Sequence, residues 1–296
     1  MSLLDYVDKE QQIVVSDIAE KANSALINTK LKLAFPPVAI SMGSHEISGI
    51  VYPTIFGSFG NFSAIVGASK SKKTFFKSLI VSSFIGGESR NYSTTIKGHK
   101  KNDCIVLDID TEQGDWHAQN VFKRIEKMTN LDYANYKPYA LRRYNHKERI
   151  EIIEYLIYES EFKDNIGLVC IDGLADLVSD VNNLEECNEI VQKVMKWTDE
   201  KKFHLVTIIH QNSFSQKATG HLGSAILKKA ETICNLASTD EGTNVKFSYT
   251  RGFPISEINF AIDKDGLPYV LGEYVQEIFE QPKLIQPNKQ FETEIF

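Results

Sequence analysis

The sequence predicts an α/β fold in which helices cover both faces of a mainly parallel sheet. From Asn61 to Asn212, short apolar runs alternate with longer segments whose apolar residues have helical spacing. Near-continuous apolar strands of this kind are typical of parallel sheets that are buried on both faces. Toward the C-terminus, two further runs are predicted to extend the sheet in antiparallel fashion, the second with alternating apolar positions and a turn at Asp265-Gly266.

The core elements are predicted in a regular order from the apolar runs and the amphipathic segments between them. Strands are expected at residues 62–66, 104–110, 139–144, 166–174 and 203–212, and helices at residues 73–85, 115–128, 146–160 and 184–202. Residues 218–238 are predicted to be a glycine-bearing loop and a helix, followed by strands within 244–251 and 258–271.

Three segments are predicted along the chain. Residues 1–59 comprise an N-terminal helix, expected between residues 5 and 30 from its apolar spacing, and a connector with minor strands or a lid. Residues 60–280 form the core. Residues 281–296 are polar, contain two prolines and lack periodicity, so they are predicted to be a flexible tail.

The composition is typical of a folded protein rather than a membrane protein. Of the 296 residues, 42% are hydrophobic and 24% are charged. The net charge of -6 argues against a surface that binds nucleic acid throughout, although it allows a local basic face. No stretch approaches the ~18 consecutive apolar residues that span a bilayer. The four cysteines include no C-x-x-C pair, so we expect a cytoplasmic protein with no membrane partner.

The segment GASKSKKT, residues 67–74, has the features of a phosphate-binding loop. Gly67, Lys73 and Thr74 match G-x-x-x-x-G-K-[ST], whereas Lys72 stands where the second glycine is expected. The loop residues predicted to surround the phosphates are Gly67, Ala68, Ser69, Lys70, Ser71, Lys72, Lys73 and Thr74. A solvated basic turn is the alternative, but an apolar strand precedes the segment and a predicted helix follows it.

Acidic residues follow two of the predicted strands. Asp172 ends an apolar run, which is typical of a carboxylate beside Mg²⁺, although a turn residue or helix cap is the alternative. Asp108, Asp110 and Glu112 lie at the carboxyl end of another strand, where ligands gather in such sheets. We favour Glu112 as the group that activates water and Asp110 next; the alternative is that all three are solvated loop residues.

Five segments between about Gly60 and Gly266 together resemble RecA-like P-loop ATPases, and within them the RepA-type hexameric helicases of plasmids and mobile elements. They are GNFSAIVGASKSKKTFF, VLDIDTEQ, LVCIDGLADL, LVTIIHQN and GHLGSAILKKAETI. The resemblance implies a RecA-like ATPase core that uses ATP and Mg²⁺. It also implies a homo-oligomeric ring that acts on single-stranded DNA in the replication or mobilisation of a genetic element.

The resemblance also implies roles for individual residues of the nucleotide site. Lys73 and Thr74 would bind phosphate and Mg²⁺, with Asp172 as the second metal-side residue and Glu112 as the catalytic base. His210 and Gln211 would sense the terminal phosphate, although a lone histidine is often a packing residue.

Two further groups of residues are implied to act outside that site. Arg251 would reach the active site of a neighbouring subunit, or else be an exposed hairpin arginine. The residues implied to contact a nucleic acid backbone are Lys217, His221, Lys228 and Lys229. A solvated helix face is the alternative for the last two.

Lys72 is the main departure from the family pattern. Glycine at this position lets the backbone adopt angles that other residues avoid, so Lys72 is expected either to find an accessible conformation or to carry strain. This motivates an alternative function, a nucleotide-gated DNA-binding or regulatory module with little or no hydrolysis. A P-loop kinase of small molecules is disfavoured, because no set of lid arginines is evident beyond Arg142 and Arg143.

Overall fold

A computed structural model describes residues 17–31, 37–101, 103–211 and 220–273. Residues 1–36 and 37–296 form two separate units. The predicted tail at 281–296 and the first part of the predicted N-terminal helix lie outside the described residues.

The described part of the first unit is helical only over residues 17–24. The prediction of a helix as far as residue 30 is therefore wrong for its last turns. The Ser24 hydroxyl donates to the Lys21 carbonyl, and the Asn28 side chain accepts from the Lys30 backbone N–H. Such local bonds compete with the helical pattern and favour a turn.

The second unit contains, within its described residues, twelve strands, five α-helices and two short 3-10 helices. The strands are β1 (Val38–Ile47), β2 (Ile50–Ser58), β3 (Phe62–Gly67), β4 (Ile96–Gly98), β5 (Ile105–Asp110), β6 (Tyr136–Ala140), β7 (Ile166–Asp172), β8 (His204–His210), β9 (Thr232–Thr239), β10 (Gly242–Thr250), β11 (Ile258–Ile262) and β12 (Pro268–Val270). The helices are α1 (Lys73–Ile85), α2 (Asp115–Thr129), α3 (His146–Tyr158), α4 (Leu184–Lys201) and α5 (Gly220–Lys229).

The larger sheet has the strand order β12-β11-β10-β9-β3-β8-β7-β5-β6. The six strands from β9 to β6 are parallel, and β10, β11 and β12 continue from β9 with antiparallel pairing. The predicted α/β fold, with a mainly parallel sheet and an antiparallel C-terminal extension, is confirmed. The turn between β11 and β12 contains Asp265-Gly266, and the Asp263 carboxylate accepts from the backbone N–H groups of Asp265 and Leu267.

The segment predicted to form minor strands or a lid is a long hairpin in a second, smaller sheet. This sheet has the order β2-β1-β4, with β1 antiparallel to both neighbours. The Glu231 carboxylate accepts hydrogen bonds from the backbone N–H and the hydroxyl of Ser58 at the end of β2. The hairpin is thereby joined to the segment that enters β9.

Two element predictions are corrected. Residues 232–239 form β9 beside β3, not the helix that was predicted to continue to residue 238. The helix stops at Lys229, and the Glu231 backbone N–H donates to the Phe62 carbonyl, which begins pairing with β3. The strand predicted at 139–144 is observed at Tyr136–Ala140, because the chain after Leu141 turns toward α3.

The core has two layers, one on each face of the larger sheet. Alternate residues of β3 enter different layers: Ile65 belongs to the layer that contains Phe76 of α1 and Ile125 of α2, whereas Ala64 belongs to the layer that contains Ile190 of α4. This alternation follows from the period of two in a strand and leaves both faces covered. Among the described helices, none combines the length and the apolar composition needed to cross a membrane.

Candidate functional site

The carboxyl ends of β3, β8, β7 and β5 are adjacent and carry most of the predicted site residues. Gly67 at the end of β3 pairs with His210 at the end of β8. Asp172 at the end of β7 pairs with Ile208 of β8 and with Asp110 of β5. The strand order therefore gathers residues that are far apart in sequence at one edge of the sheet.

The predicted phosphate loop connects β3 to α1. Lys72 has φ 63° and ψ 29°, in the left-handed region that glycine occupies easily, and its side chain is exposed. Lys70 has a similarly positive φ of 66°. The helix α1 begins at Lys73, and no side chain caps its first N–H groups. The uncapped N-terminus of a helix that follows a strand suits an anion such as a phosphate.

Gly67 is required at the start of the loop for reasons of space. A Cβ atom at this position would lie 2.4 Å from the Ser71 hydroxyl oxygen and 3.1 Å from the Leu236 carbonyl oxygen. The Ser71 hydroxyl is buried and has no hydrogen-bond partner in the described part of the chain. Ser71 is thus an unpaired polar group in the loop, as expected for a site that receives a polar ligand.

The Lys73 amine lies inside the loop and its three donors have three partners. Nζ donates to the carbonyls of Gly67 at 2.9 Å and Ala68 at 2.8 Å, and lies 3.3 Å from His210 Nδ1. Burial lowers the pKa of Lys73, although the carboxylates of Glu112 and Asp172 oppose this change. The amine is thus held beside the N-terminus of α1, within reach of a ligand in the loop.

Thr74 and Asp172 form a pair of oxygen ligands that fits Mg²⁺. The Thr74 hydroxyl donates to Asp172 Oδ2 at 2.9 Å. Burial raises the pKa of Asp172 to about 6, and the charge of Lys77 and this hydrogen bond oppose the rise. The described residues contain no cluster of three or more His, Cys, Asp or Glu side chains that could hold a metal. One carboxylate and one hydroxyl match Mg²⁺, which takes few protein ligands and completes its shell with water and phosphate oxygens.

A buried charged cluster lies directly behind this pair. The Lys77 amine donates to Asp108 Oδ1 at 2.7 Å and lies 3.7 Å from Asp172 Oδ2. The Tyr136 hydroxyl donates to the other oxygen of Asp108 at 2.8 Å. Burial alone would lower the pKa of Lys77, but the two carboxylates outweigh it and the pKa is raised. Asp108 is therefore a buried partner of Lys77 and not a solvated loop residue.

Glu112 and His210 form a second polar pair at the same edge. Glu112 Oε1 lies 3.0 Å from His210 Nε2, and both side chains are partly exposed. Because an ionised carboxylate only accepts, a neutral His210 would donate from Nε2 to Glu112 and accept from Lys73 at Nδ1. The hydrogen bond from His210 lowers the pKa of Glu112 despite partial burial. His210 thus links the loop lysine to the carboxylate.

Asp110, the second candidate for activating water, instead shapes the turn that presents Glu112. Asp110 Oδ1 accepts from the backbone N–H groups of Glu112 and Gln113, and Oδ2 accepts from the Gln113 side chain. The opposite side of the turn is fixed by the Thr111 hydroxyl, which bonds to the Asp172 and Gly173 carbonyls. A Cβ atom at Gly173 (φ 100°) would lie 2.3 Å from that hydroxyl oxygen, so this position needs glycine.

Other predicted residues lie beside the loop, at its surface or at the start of α5. The Gln211 backbone N–H donates to the Gly67 carbonyl, so Gln211 lies beside the loop. Ala68 and Ser69 are exposed in the loop. Lys217 lies outside the described residues. His221 is exposed at the start of α5.

Arg251, Lys228 and Lys229 lie at the opposite edge of the sheet. Thr250, which precedes Arg251, pairs with Thr232 at the start of β9, and Thr232 pairs with Ser63 at the start of β3. The Arg251 guanidinium donates to the Lys229 carbonyl. Lys228 and Lys229 end α5, about 10 to 12 Å along the helix from His221. These three side chains are exposed.

Two cavities lie elsewhere and contain none of the predicted site residues. The larger, of about 400 Å³, lies between α3 and α4 and the smaller, of about 200 Å³, lies beside α2 and Tyr136. The larger is lined by both apolar and acidic side chains, including Ile150, Val178, Glu151 and Glu189.

Lys77 is the site residue that sequence analysis missed, together with Tyr136. A signal was available: Lys77 interrupts an otherwise apolar stretch of α1, and Asp108 interrupts an apolar strand. Buried lysines and aspartates are rare unless they are paired. A lone lysine in one apolar element and a lone aspartate in another therefore indicate a buried pair.

No known protein-family model matches the chain, and no curated protein matches it either.

Proposed function

We propose that the protein is a RecA-like ATPase that binds ATP with Mg²⁺ at the loop between β3 and α1. The observation that carries the proposal is the convergence of Lys73, Thr74, Asp172, Glu112 and His210 at four adjacent strand ends. A lysine, a hydroxyl, a metal-side carboxylate and a polarised carboxylate are the groups that phosphoryl transfer to water uses.

Each residue has a distinct task in this proposal. The backbone of the loop and the Lys73 amine would bind the phosphates, and Thr74 with Asp172 would hold Mg²⁺. The chemistry that Mg²⁺ supplies when bound is neutralisation of charge on the terminal phosphate oxygens. Glu112 would orient a water molecule and accept its proton, and its lowered pKa keeps it ionised for that role. His210 would transmit the state of the phosphate between Lys73 and Glu112.

Hydrolysis of ATP by the native chain and by Lys73→Ala tests this proposal, with Lys123→Ala as the matched control. Lys123 is an exposed lysine of α2 outside the phosphate loop, and we expect its variant to retain turnover. Lys73→Ala should reduce Mg²⁺-dependent turnover to background. Turnover that is unaffected by Lys73→Ala would refute the assignment of the site.

The motif resemblance extends the proposal to a homo-oligomeric ring that acts on single-stranded DNA in replication or mobilisation of a genetic element. Exposed His221, Lys228 and Lys229 are available for backbone contacts. We expect single-stranded DNA to stimulate turnover, and the solution mass to rise when an ATP analogue and an oligonucleotide are added. A strict monomer under all these conditions would contradict the ring.

A second candidate function is a nucleotide-gated module that binds ATP with little hydrolysis. The left-handed conformation and the exposed side chain of Lys72 favour this candidate, because they place a bulky cation where the family has glycine. It predicts measurable ATP affinity, negligible turnover by the native chain and a higher rate for Lys72→Gly. Efficient native turnover would exclude it.

A further inference from the structure

Lys77 lies one helical turn after Lys73 on α1, so both side chains project from the same side of the helix toward the sheet. Lys73 reaches into the phosphate loop, whereas Lys77 is 0% exposed beneath it. Nothing in the proposed reaction so far uses Lys77. Its charge nevertheless lies within 4 Å of the carboxylate that would hold Mg²⁺, with 3.7 Å between Nζ and Asp172 Oδ2.

The same oxygen of Asp172 faces two donors. Oδ2 accepts from the Thr74 hydroxyl and is the oxygen nearest to the Lys77 amine. The other oxygen, Oδ1, makes no hydrogen bond or ion pair within the described residues. Contacts that engage one oxygen set the rotation of the carboxylate and leave Oδ1 for a ligand in the site.

Asp108 and Tyr136 hold the Lys77 amine in this position. Asp108 Oδ1 accepts from Lys77 and Oδ2 accepts from the Tyr136 hydroxyl, so both oxygens of this buried carboxylate are satisfied. The hydrogen bond to Asp108 keeps the amine from forming a closer ion pair with Asp172. The amine therefore compensates the charge of Asp172 without occupying its ligand position.

Resting on the proposed function, we infer that Lys77 is a positioning residue of the nucleotide site. It orients Asp172 for Mg²⁺ through the arrangement Tyr136–Asp108–Lys77–Asp172. Lys77 contacts neither nucleotide nor metal, and its effect is to keep the Asp172 carboxylate turned toward the phosphate loop.

Two variants separate this role from a purely structural one. Asp108→Asn retains Lys77 but removes its buried ionic partner, whereas the double variant Lys77→Met/Asp108→Asn removes both buried charges together. The measurement is the affinity for a non-hydrolysable ATP analogue by calorimetry, with Mg²⁺ and with EDTA, after circular dichroism has shown that each variant is folded.

We expect the native protein to bind the analogue more tightly with Mg²⁺ than with EDTA. Asp108→Asn should lose part of this gain, because the Lys77 amine is then held less firmly beside Asp172. In EDTA, the double variant should bind the analogue as tightly as the native protein does. With Mg²⁺, its affinity should be lower than that of the native protein by about 10-fold or more, the usual effect of removing a residue that orients a metal ligand. If the double variant does not fold, Lys77→Gln/Asp108→Asn, which keeps a hydrogen bond between the two positions, replaces it with the same expectation.

A folded double variant that keeps the full gain from Mg²⁺ would overturn the inference and leave the proposed function intact. Native protein that binds no analogue, or binds it equally well after Lys73→Ala, would instead refute the proposed function and the inference with it. The two failures are distinguishable because only the second is visible in the native protein and Lys73→Ala.

Discussion

The carboxyl and amino edges of the larger sheet differ in how deeply their charged side chains are buried. At the carboxyl edge, the side chains of Lys73, Lys77 and Asp172 are buried. The Lys73 amine donates to the Gly67 carbonyl, and the Lys77 amine pairs with Asp108 and Asp172. At the amino edge, Lys229 and Arg251 are exposed, and the Arg251 guanidinium bonds to a backbone carbonyl. Buried charges are tolerated only when a partner of opposite charge or hydrogen bonds compensate them. The carboxyl edge supplies such partners, whereas Lys229 and Arg251 at the amino edge are exposed to water and do not need them.

The largest effect on the free energy of unfolding is expected from removing one buried charge at the carboxyl edge. Lys77→Met leaves Asp108 buried without its cation and should lower the free energy of unfolding by about 3 to 5 kcal/mol. The matched change at the amino edge, Lys228→Met, removes an exposed charge and should alter it by about 0.5 kcal/mol or less. Urea unfolding measures both, and similar losses in the two variants would contradict the contrast between the edges.

His204 gives the next effect, because it is a buried ionisable residue at the amino edge. Its Nδ1 lies 3.0 Å from the Ser58 carbonyl oxygen, and burial lowers its pKa although Glu231 favours the charged form. The unfolded chain therefore binds a proton more readily than the folded protein. The contribution of His204 to the free energy of unfolding is fully present above about pH 6.5, the ordinary pKa of histidine, and is lost as the pH falls from there to the lowered pKa of the folded protein. The loss is about 1.4 kcal/mol for each pH unit between these two pKa values.

His204→Gln isolates this contribution, since glutamine keeps a donor but does not titrate. Urea unfolding from pH 7.5 to pH 5 should show a steeper loss of stability for the native protein than for the variant. His99, whose pKa burial also lowers, is present in both proteins and cancels in the comparison. Parallel pH profiles would show that His204 does not titrate differently on folding.

Lys72 and Lys202 allow a smaller test of the same comparison, because both adopt left-handed backbone angles, one at each edge. Lys72 precedes α1 with φ 63°, and Lys202 follows α4 with φ 54°. Glycine relieves the left-handed conformation but costs entropy on folding, so each substitution should raise the free energy of unfolding by about 1 kcal/mol or less.

The function of the two lysines should differ where their stability effects agree. Lys72→Gly changes the phosphate loop and is expected to change ATP turnover, whereas Lys202→Gly should leave turnover unchanged. Stability is measured by urea unfolding and turnover by phosphate release. Equal changes in turnover would mean that Lys72 acts through overall stability and not through the loop.

The sequence predicted the parallel core well because its signals are local. The strand before Gly67 and the helix after Lys72 follow from apolar periodicity alone. It failed at β9, where only two residues separate Thr232 and Ile233 from the end of a helix, and pairing with β3 makes them a strand. Whether such a short run becomes a helix or a strand is decided by tertiary contacts, which override weak propensities.

The residues of the candidate site that lie next to strand ends could be predicted from the sequence, but the buried residues behind them could not. Lys73, Asp172 and Glu112 lie next to strand ends and could be found from spacing. Lys77 and Tyr136 act through contacts across different elements, and spacing along the chain does not reveal that they share Asp108. Likewise, sequence alone did not reveal that Arg251 and the phosphate loop lie at opposite edges.

The smallest effect on stability is expected for Arg251→Ala. The guanidinium bonds to the Lys229 carbonyl at an exposed helix end, so its loss should change the free energy of unfolding by about 0.5 kcal/mol or less. If Arg251→Ala nevertheless loses turnover, the loss must arise between subunits, because Arg251 cannot reach the carboxyl edge of its own chain.

Mixing two variants tests this role. In a ring, Arg251→Ala and Lys73→Ala should each be inactive alone. A mixture should recover turnover, because a Lys73→Ala subunit still offers Arg251 to a neighbour with an intact phosphate loop. No recovery on mixing would exclude the role of Arg251 in a neighbouring site.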